Sequence, residues 1–131
     1  MDLLSVKIIK ELLSKYNATP SKYMGQNFLI DKSTLSKIIK TADLNLKDTI
    51  LEIGPGMGSL TKELAEKTKK VLAIEKDKVM IEILKETLKN NKNVEILQGD
   101  ALHYDYQLKN YKIVANIPYY LTSHIIRKFL E

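Results

Sequence analysis

The sequence predicts a doubly wound α/β sheet with parallel strands, on three observations. Short apolar runs at Thr49–Ile53, Val71–Glu75, Val94–Leu97 and Ile113–Asn116 alternate with amphipathic stretches at Leu60–Thr68 and Lys78–Lys89, the pattern of parallel strands joined by crossover helices. A glycine turn, Gly54-Pro-Gly56-Met-Gly58, follows the first run and opens the next helix. Glu75 closes the second run and Asp100 follows the third, so both carboxylates fall beyond the carboxyl ends of strands, where open α/β sheets bind their ligands.

The elements follow in order. Leu3, Leu4, Ile8, Ile9, Leu12 and Leu13 recur at helical spacing and predict a first amphipathic helix that stops near Tyr16-Asn17, before Pro20. The stretch from Lys15 to Gly25, with Pro20 and Ser21, reads as a lysine-bearing loop. Asp31 followed by Leu35, Ile38 and Ile39 predicts a capped second helix that frays around Thr41. Next come βαβαβ, a connection and a fourth strand. Thr122-Ser123 then cap a run, Ile125, Ile126, Phe129 and Leu130, that is still helical and apolar at Glu131. About four strands followed by an unfinished helix read as the front part of a larger protein.

Composition excludes several classes of function. At 131 residues the chain holds one domain at most, and 44% hydrophobic residues suffice to build its core. The absence of cysteine excludes a disulfide scaffold, a thiolate zinc site and a cysteine nucleophile. His103 and His124 stand far apart with no carboxylate pattern around them, so no metal is expected. No apolar run approaches the roughly 18 residues of a membrane span, and the start MDLLSVKIIK lacks an export signal. A cytoplasmic protein without a membrane partner is expected. The net charge of +5 is compatible with a polyanionic partner and equally with lysines that merely solvate helix faces.

Three places carry chemistry. In Glu52-Ile-Gly54-Pro-Gly56-Met-Gly58 the glycines allow a sharp turn and let a ligand lie against bare backbone. Glu75 lies about 20 residues on, where an acid accepts both ribose hydroxyl protons of a nucleotide-like cofactor; a tight βα turn with a solvated Glu is the structural alternative. The G-x-G-x-G spacing departs from the dinucleotide G-x-G-x-x-G and disfavours a nicotinamide-dependent dehydrogenase. Gly99-Asp100-Ala101 adds a second carboxylate able to accept from an adenine amino group, or else to cap a turn. In Asn116-Ile117-Pro118-Tyr119 the amide oxygen of Asn116 and the Ile117 carbonyl, kept extended by Pro118, stand beside the flat ring of Tyr119. Two acceptors and an aromatic face describe a pocket for a planar amine; a Pro-terminated strand with a packed Tyr is the alternative.

Gly25-Gln-Asn-Phe-Leu29, Glu52-Ile-Gly-Pro-Gly-Met-Gly58, Ala73-Ile-Glu-Lys-Asp77, Gly99-Asp-Ala-Leu102 and Asn116-Ile-Pro-Tyr119, in this order, resemble the ribosomal RNA small-subunit adenine N6-dimethyltransferase family of the KsgA/Dim type. The resemblance covers nearly the whole chain. It implies a Rossmann-like class I S-adenosylmethionine-dependent methyltransferase fold, with residues 1–131 as the N-terminal portion of the catalytic domain; the rest of that domain and a C-terminal helical domain would lie beyond. It implies S-adenosyl-L-methionine as cofactor. Gln26, Asn27 and Leu29 would border the donor's methionine end, Gly54 and Gly56 would meet the donor through backbone, Glu75 would hold the ribose, and Asp100 with Ala101 the adenine. Asn116, also at the donor edge, would act with Ile117 and Pro118 on the target amine, and Tyr119 would stack on the target base.

The implied reaction is methyl transfer to N6 of two adjacent adenines in the 3′-terminal hairpin of small-subunit (16S) rRNA during ribosome biogenesis. The partner would be an immature 30S-type subunit, and the full-length enzyme a monomer. Lys15, Lys22 and Arg127 are expected contributors to RNA binding. Tyr120 stands where Asn often follows the tetrapeptide, and Ile117 replaces the commoner Leu. The related antibiotic-resistance methyltransferases of large-subunit rRNA share Asn-Ile-Pro-Tyr, which leaves that target as one alternative and a non-catalytic RNA-binding assembly factor as another.

Overall fold

The computed structural model describes residues 2–18, 32–101 and 111–115. They form α1 (Val6–Lys15), α2 (Lys32–Ala42), β1 (Thr49–Ile53), α3 (Ser59–Lys67), β2 (Lys70–Glu75), α4 (Lys78–Thr87), β3 (Val94–Gln98) and β4 (Tyr111–Ala115). The strands make one sheet in the order β3-β2-β1-β4, every pair parallel. The chain winds from β1 outward to β3, then returns to the far side of β1 to lay down β4. The reversal between β1 and β4 is the topological switch at which doubly wound sheets open a ligand crevice.

Register explains the burial pattern. Ile50 pairs with Val71, and Glu52 with Ala73 and Val114, so by the two-residue period of a strand these residues share one face. That face packs on α2 and α3 in a core of Leu35, Ile50, Leu60, Leu64, Ala65, Val71 and Val114. Leu51, Ile53, Leu72 and Ile74 point to the other face and are buried as well; there α4 lies on β2 and β3. Burial on both faces is why β1 and β2 read as unbroken apolar runs. A second core joins α1 to α4: Ile9, Leu12 and Leu13 meet Met80, Ile83 and Met57 of the glycine turn.

Element ends differ from the sequence pattern by a few residues, for local reasons. α1 starts at Val6, because Ser5 is its N-cap, extended and accepting from Ile8 N–H through its hydroxyl, while Asp2 accepts from the Leu4 amide at 3.0 Å in the turn before it. Leu3 is therefore buried without being helical. Asn17 and Asp43 stop α1 and α2 with φ of 58° and 48°, the left-handed conformation that Asn and Asp tolerate best among residues with a side chain. β4 begins at Tyr111, two residues before its apolar run, because its ladder with β1 starts at the Thr49–Tyr111 pair. Its Lys112 reaches the Asp48 carboxylate at 3.0 Å, the carbonyl of Ala42 at the end of α2 at 3.3 Å and that of Asp43 just beyond it at 2.6 Å, a cation completing a helix C-terminus. Lys15, where the predicted loop begins, is the last residue of α1; residues 19–25 of that loop, the predicted cap at Asp31 and the helix after Thr122 lie outside the described residues.

Candidate functional site at the carboxyl edge of the sheet

The parallel topology brings the ends of β1, β2 and β3 to one edge. Ile53 pairs with Ile74 and with Ala115, and Glu75 with Gln98, so Gly54, Glu75 and Gly99-Asp100-Ala101 stand side by side. Backbone hydrogen bonds continue across this edge from Gly54 N–H to the Ile74 carbonyl, 3.2 Å, and from Gly99 N–H to the Glu75 carbonyl, 3.0 Å. Five of the predicted site residues, Gly54, Gly56, Glu75, Asp100 and Ala101, are thus gathered by the fold. Gln26, Asn27, Leu29 and the tetrapeptide Asn116, Ile117, Pro118 and Tyr119 lie outside the described residues, as do Lys22 and Arg127.

The glycine turn has the conformation its composition requires. Gly54, Gly56 and Gly58 adopt φ of 68°, 58° and 92°, in the region where a Cβ is penalised. Pro55, Met57 and Gly58 are buried, whereas Gly54 and Gly56 are half-buried; the turn is anchored by its inner residues and presents the peptide units of its outer ones. Gly58 occupies the N-cap of α3 without a capping side chain, so the helix's first amides and the positive end of its dipole begin beside the turn.

Glu75 is a half-buried carboxyl whose Oε1 accepts from Asp77 N–H at 3.4 Å. Burial pushes its pKa up to about 7, against the amide's stabilisation of the ionised form. Asp77, in turn, caps α4 by accepting from the amides of Val79 and Met80 at 2.8 and 3.3 Å. A cap two residues after Glu75 fixes the chain's direction as it leaves the edge, a role the Ala73–Asp77 motif did not disclose. Asp100 is exposed. Two acceptor carboxylates beside a bare backbone turn suit a ligand that offers hydroxyl and amino hydrogens, as a nucleoside does.

Sequence reasoning missed Glu52. It lies in the middle of the buried face, 1% exposed, and accepts a hydrogen bond from the Thr61 hydroxyl of α3. Burial raises its pKa to about 8, offset in part by Thr61, so the folded protein holds it protonated at neutral pH. The carboxyl joins β1 to α3 across the turn and does not face solvent. Its signal was an acid inside an otherwise apolar strand and a Thr in the first turn of the next helix.

The sign of its effect on stability is fixed. Between the ordinary value of 4.5 and about 8 the unfolded chain loses this proton and the folded chain keeps it, so stability falls as pH rises, by up to about 1.4 kcal/mol per pH unit for one group. The loss is complete above about 8. Glu75 adds the same sign up to about 7. Glu52→Gln keeps an acceptor for Thr61 and removes the titration. Its thermal midpoint is expected to fall less than the parent's between pH 5 and 8 and to exceed it at pH 8; parallel curves would show that Glu52 ionises freely in the fold.

Lys15 has a partner within the protein. Its ammonium pairs with Glu86 of α4, which also accepts from the Tyr16 hydroxyl at 2.8 Å, so this lysine fastens α1 to α4. Both donors hold the Glu86 carboxyl below the usual carboxylate range. No helix of the described residues is long and apolar enough to cross a membrane.

Comparison with known proteins agrees with this geometry. The family profile for ribosomal RNA adenine dimethylase matches residues 16–131. The ribosomal RNA small subunit methyltransferase A of Alkaliphilus oremlandii is 47% identical over 97% of this chain and 47% of its own length; the chain thus spans about half the length of such relatives. Among solved structures, the 23S rRNA methyltransferase ErmE superposes with a TM-score of 0.75 at 37% identity, covering 80% of this chain and 43% of that one. A dimethyladenosine transferase from Plasmodium falciparum gives 0.70 at 36%, covering 76% and 37%. The four-stranded parallel sheet with its glycine turn is the class I S-adenosylmethionine-dependent methyltransferase fold, and the chain belongs to the ribosomal RNA adenine dimethylase family.

Proposed function

We propose that the protein carrying this chain transfers methyl groups from S-adenosyl-L-methionine to N6 of two adjacent adenines in the 3′-terminal hairpin of small-subunit rRNA, acting as a monomer on immature small subunits in the cytoplasm. The observation that carries this reading is the 47% identity, over 97% of the chain, to a small subunit methyltransferase A. The large-subunit enzyme ErmE shares the fold at 37% identity, and the higher figure favours the small-subunit target.

The residues present fit the donor. Gly54 and Gly56 offer backbone in the conformation a close ligand needs, Glu75 supplies two oxygens for the ribose hydroxyls, and Asp100 with Ala101 the edge for adenine. Gln26, Asn27 and Leu29 take the methionine end. When bound, the donor supplies a sulfonium methyl that is electrophilic on its own. The protein's part is then to place the nucleophile. The lone pair of adenine N6 is delocalised into its ring; Asn116 and the Ile117 carbonyl, accepting its two hydrogens, draw the amine toward a tetrahedral shape in which that pair is available. A proline at 118 disfavours the helical conformation for the residue before it, which suits this use of the Ile117 carbonyl, and Tyr119 would replace part of the stacking an extruded base gives up.

The test is single-turnover methylation by the full-length protein of immature small subunits beside large-subunit rRNA, with donor titration alongside. Methylation of the small subunit alone is expected. Transfer to the large-subunit RNA would move the target, and RNA binding without donor binding would make the protein a non-catalytic assembly factor.

A further inference from the structure

The last turn of α4 lies outside the predicted site, yet its Thr87 side chain reaches the glycine turn and the neighbouring Glu86 reaches α1. Thr87, 6% exposed, donates its hydroxyl to the Met57 carbonyl at 2.9 Å; the Leu84 carbonyl lies farther, at 3.5 Å, and one hydroxyl has one hydrogen to give. Met57 is the apex of the glycine turn, and the next residue closes it, Gly58 N–H bonding the Pro55 carbonyl at 3.0 Å. α4 sits flush against this corner: a Cβ on Gly58 would come within 3.0 Å of the Thr87 oxygen, 3.2 Å of Leu88 and 3.3 Å of Leu84. The Met57 side chain is buried with Leu12 and Leu13 of α1. α1 in turn is held by Glu86, through Lys15 and the Tyr16 hydroxyl.

We propose that Glu86 and Thr87 form a clasp that positions the donor-binding turn: Thr87 fixes the Met57 carbonyl, and through it the peptide units at Gly54 and Gly56, while Glu86 keeps α1 seated on the Met57 side chain. The inference rests on the donor site proposed above and adds two positioning residues that touch neither donor nor RNA. Its physical basis is preorganisation. A turn whose glycines have wide conformational freedom must be ordered by something before a ligand can use it cheaply, and an ordering bond made in advance is not charged to binding. The Thr87 hydroxyl is the one side-chain hydrogen bond seen to this turn's backbone among the described residues.

The experiment is calorimetric titration of S-adenosylmethionine into the full-length protein and its Thr87→Val, Thr87→Ser and Glu86→Gln variants, with melting curves and amide exchange at Gly58 in the donor-free protein. Val matches Thr in shape and leaves the Met57 carbonyl without its partner. Thr87→Val is expected to raise the donor Kd about tenfold, the scale of one orphaned buried acceptor, and to speed exchange at Gly58, with the rate at saturating donor within about twofold. Thr87→Ser should restore tight binding, which a purely packing role for the methyl group would not. Glu86→Gln, at a half-buried position, should weaken binding about two- to threefold through α1, less than the full loss of a charged hydrogen bond, because the amide oxygen still accepts from Lys15 and Tyr16. A folded Thr87→Val that binds like the parent overturns the clasp. If that variant fails to fold, an unchanged Kd and exchange rate in Glu86→Gln does so instead. A parent protein that binds no donor removes the donor site itself, and the clasp with it.

Discussion

Asn116→Ala in the full-length protein is expected to lower single-turnover methylation by about 10²–10³, the usual cost of removing one preorganised contact to a reacting group, while the donor Kd stays nearly unchanged. The separation follows from what the amide contacts. In the proposed site its principal partner is the target N6, and that contact strengthens only as the amine turns tetrahedral, so its loss appears in the chemical step. Tyr119 gives the complementary pattern: Tyr119→Ala should weaken base capture by about 1–3 kcal/mol if the ring stacks on the extruded adenine, and Tyr119→Phe should be mild, because the face is kept. Rates on immature small subunits measured beside donor titrations distinguish these cases. Normal methylation by Asn116→Ala would leave Asn116–Tyr119 as no more than a Pro-terminated strand end.

The edge of the sheet was legible before the structure because parallel strands have a simple rule: when every crossover returns the chain to the same end, every strand finishes at the same edge. Gly54, Glu75 and Asp100 are separated widely in sequence, yet alternation of apolar runs with amphipathic stretches sufficed to bring them together. The glycine turn was legible for a steric reason, since few residues tolerate the φ values found at Gly54, Gly56 and Gly58. What supports the turn was not. Thr87 meets Met57 across a sequence separation of 30, and which face of α4 turns toward the loop depends on how that helix rolls on β2 and β3. Glu52 was hidden differently. It stands at the head of the glycine motif, where the glycines account for the pattern and the acid passes unremarked, whereas the strand's two-residue period turns it into the core against Thr61. Helix starts were misjudged at Leu3 because hydrophobic spacing continues through residues whose amides Asp2 and Ser5 have already engaged.

Donor affinity should depend on pH through Glu75, and nearer neutral pH than an ordinary carboxylate would allow. With its pKa near 7 in the donor-free fold, Glu75 is ionised at pH 8 and largely protonated at pH 6. A protonated carboxyl offers fewer acceptor sites to the two ribose hydroxyls, so binding below pH 7 must either release the proton or forgo a hydrogen bond. The expected Kd is flat above about pH 7.5 and rises toward tenfold per pH unit below it, the limit for one linked proton. The donor's own α-amino group titrates near 7.7–8.0 in the unperturbed case, and its contribution is common to every variant. Glu75→Gln keeps the side chain's shape and removes the titrating group, so the difference between its profile and the parent's isolates Glu75. Glu75→Ala should weaken binding at pH 8 by about 1–3 kcal/mol, the cost of leaving buried hydroxyls unpaired. Calorimetry in two buffers of different ionisation enthalpy adds an independent readout: the parent should release close to one proton on binding at pH 6, beyond any released by Glu75→Gln. Superimposable pH profiles for parent and Glu75→Gln would remove Glu75 from the ribose and leave it as the solvated end of β2.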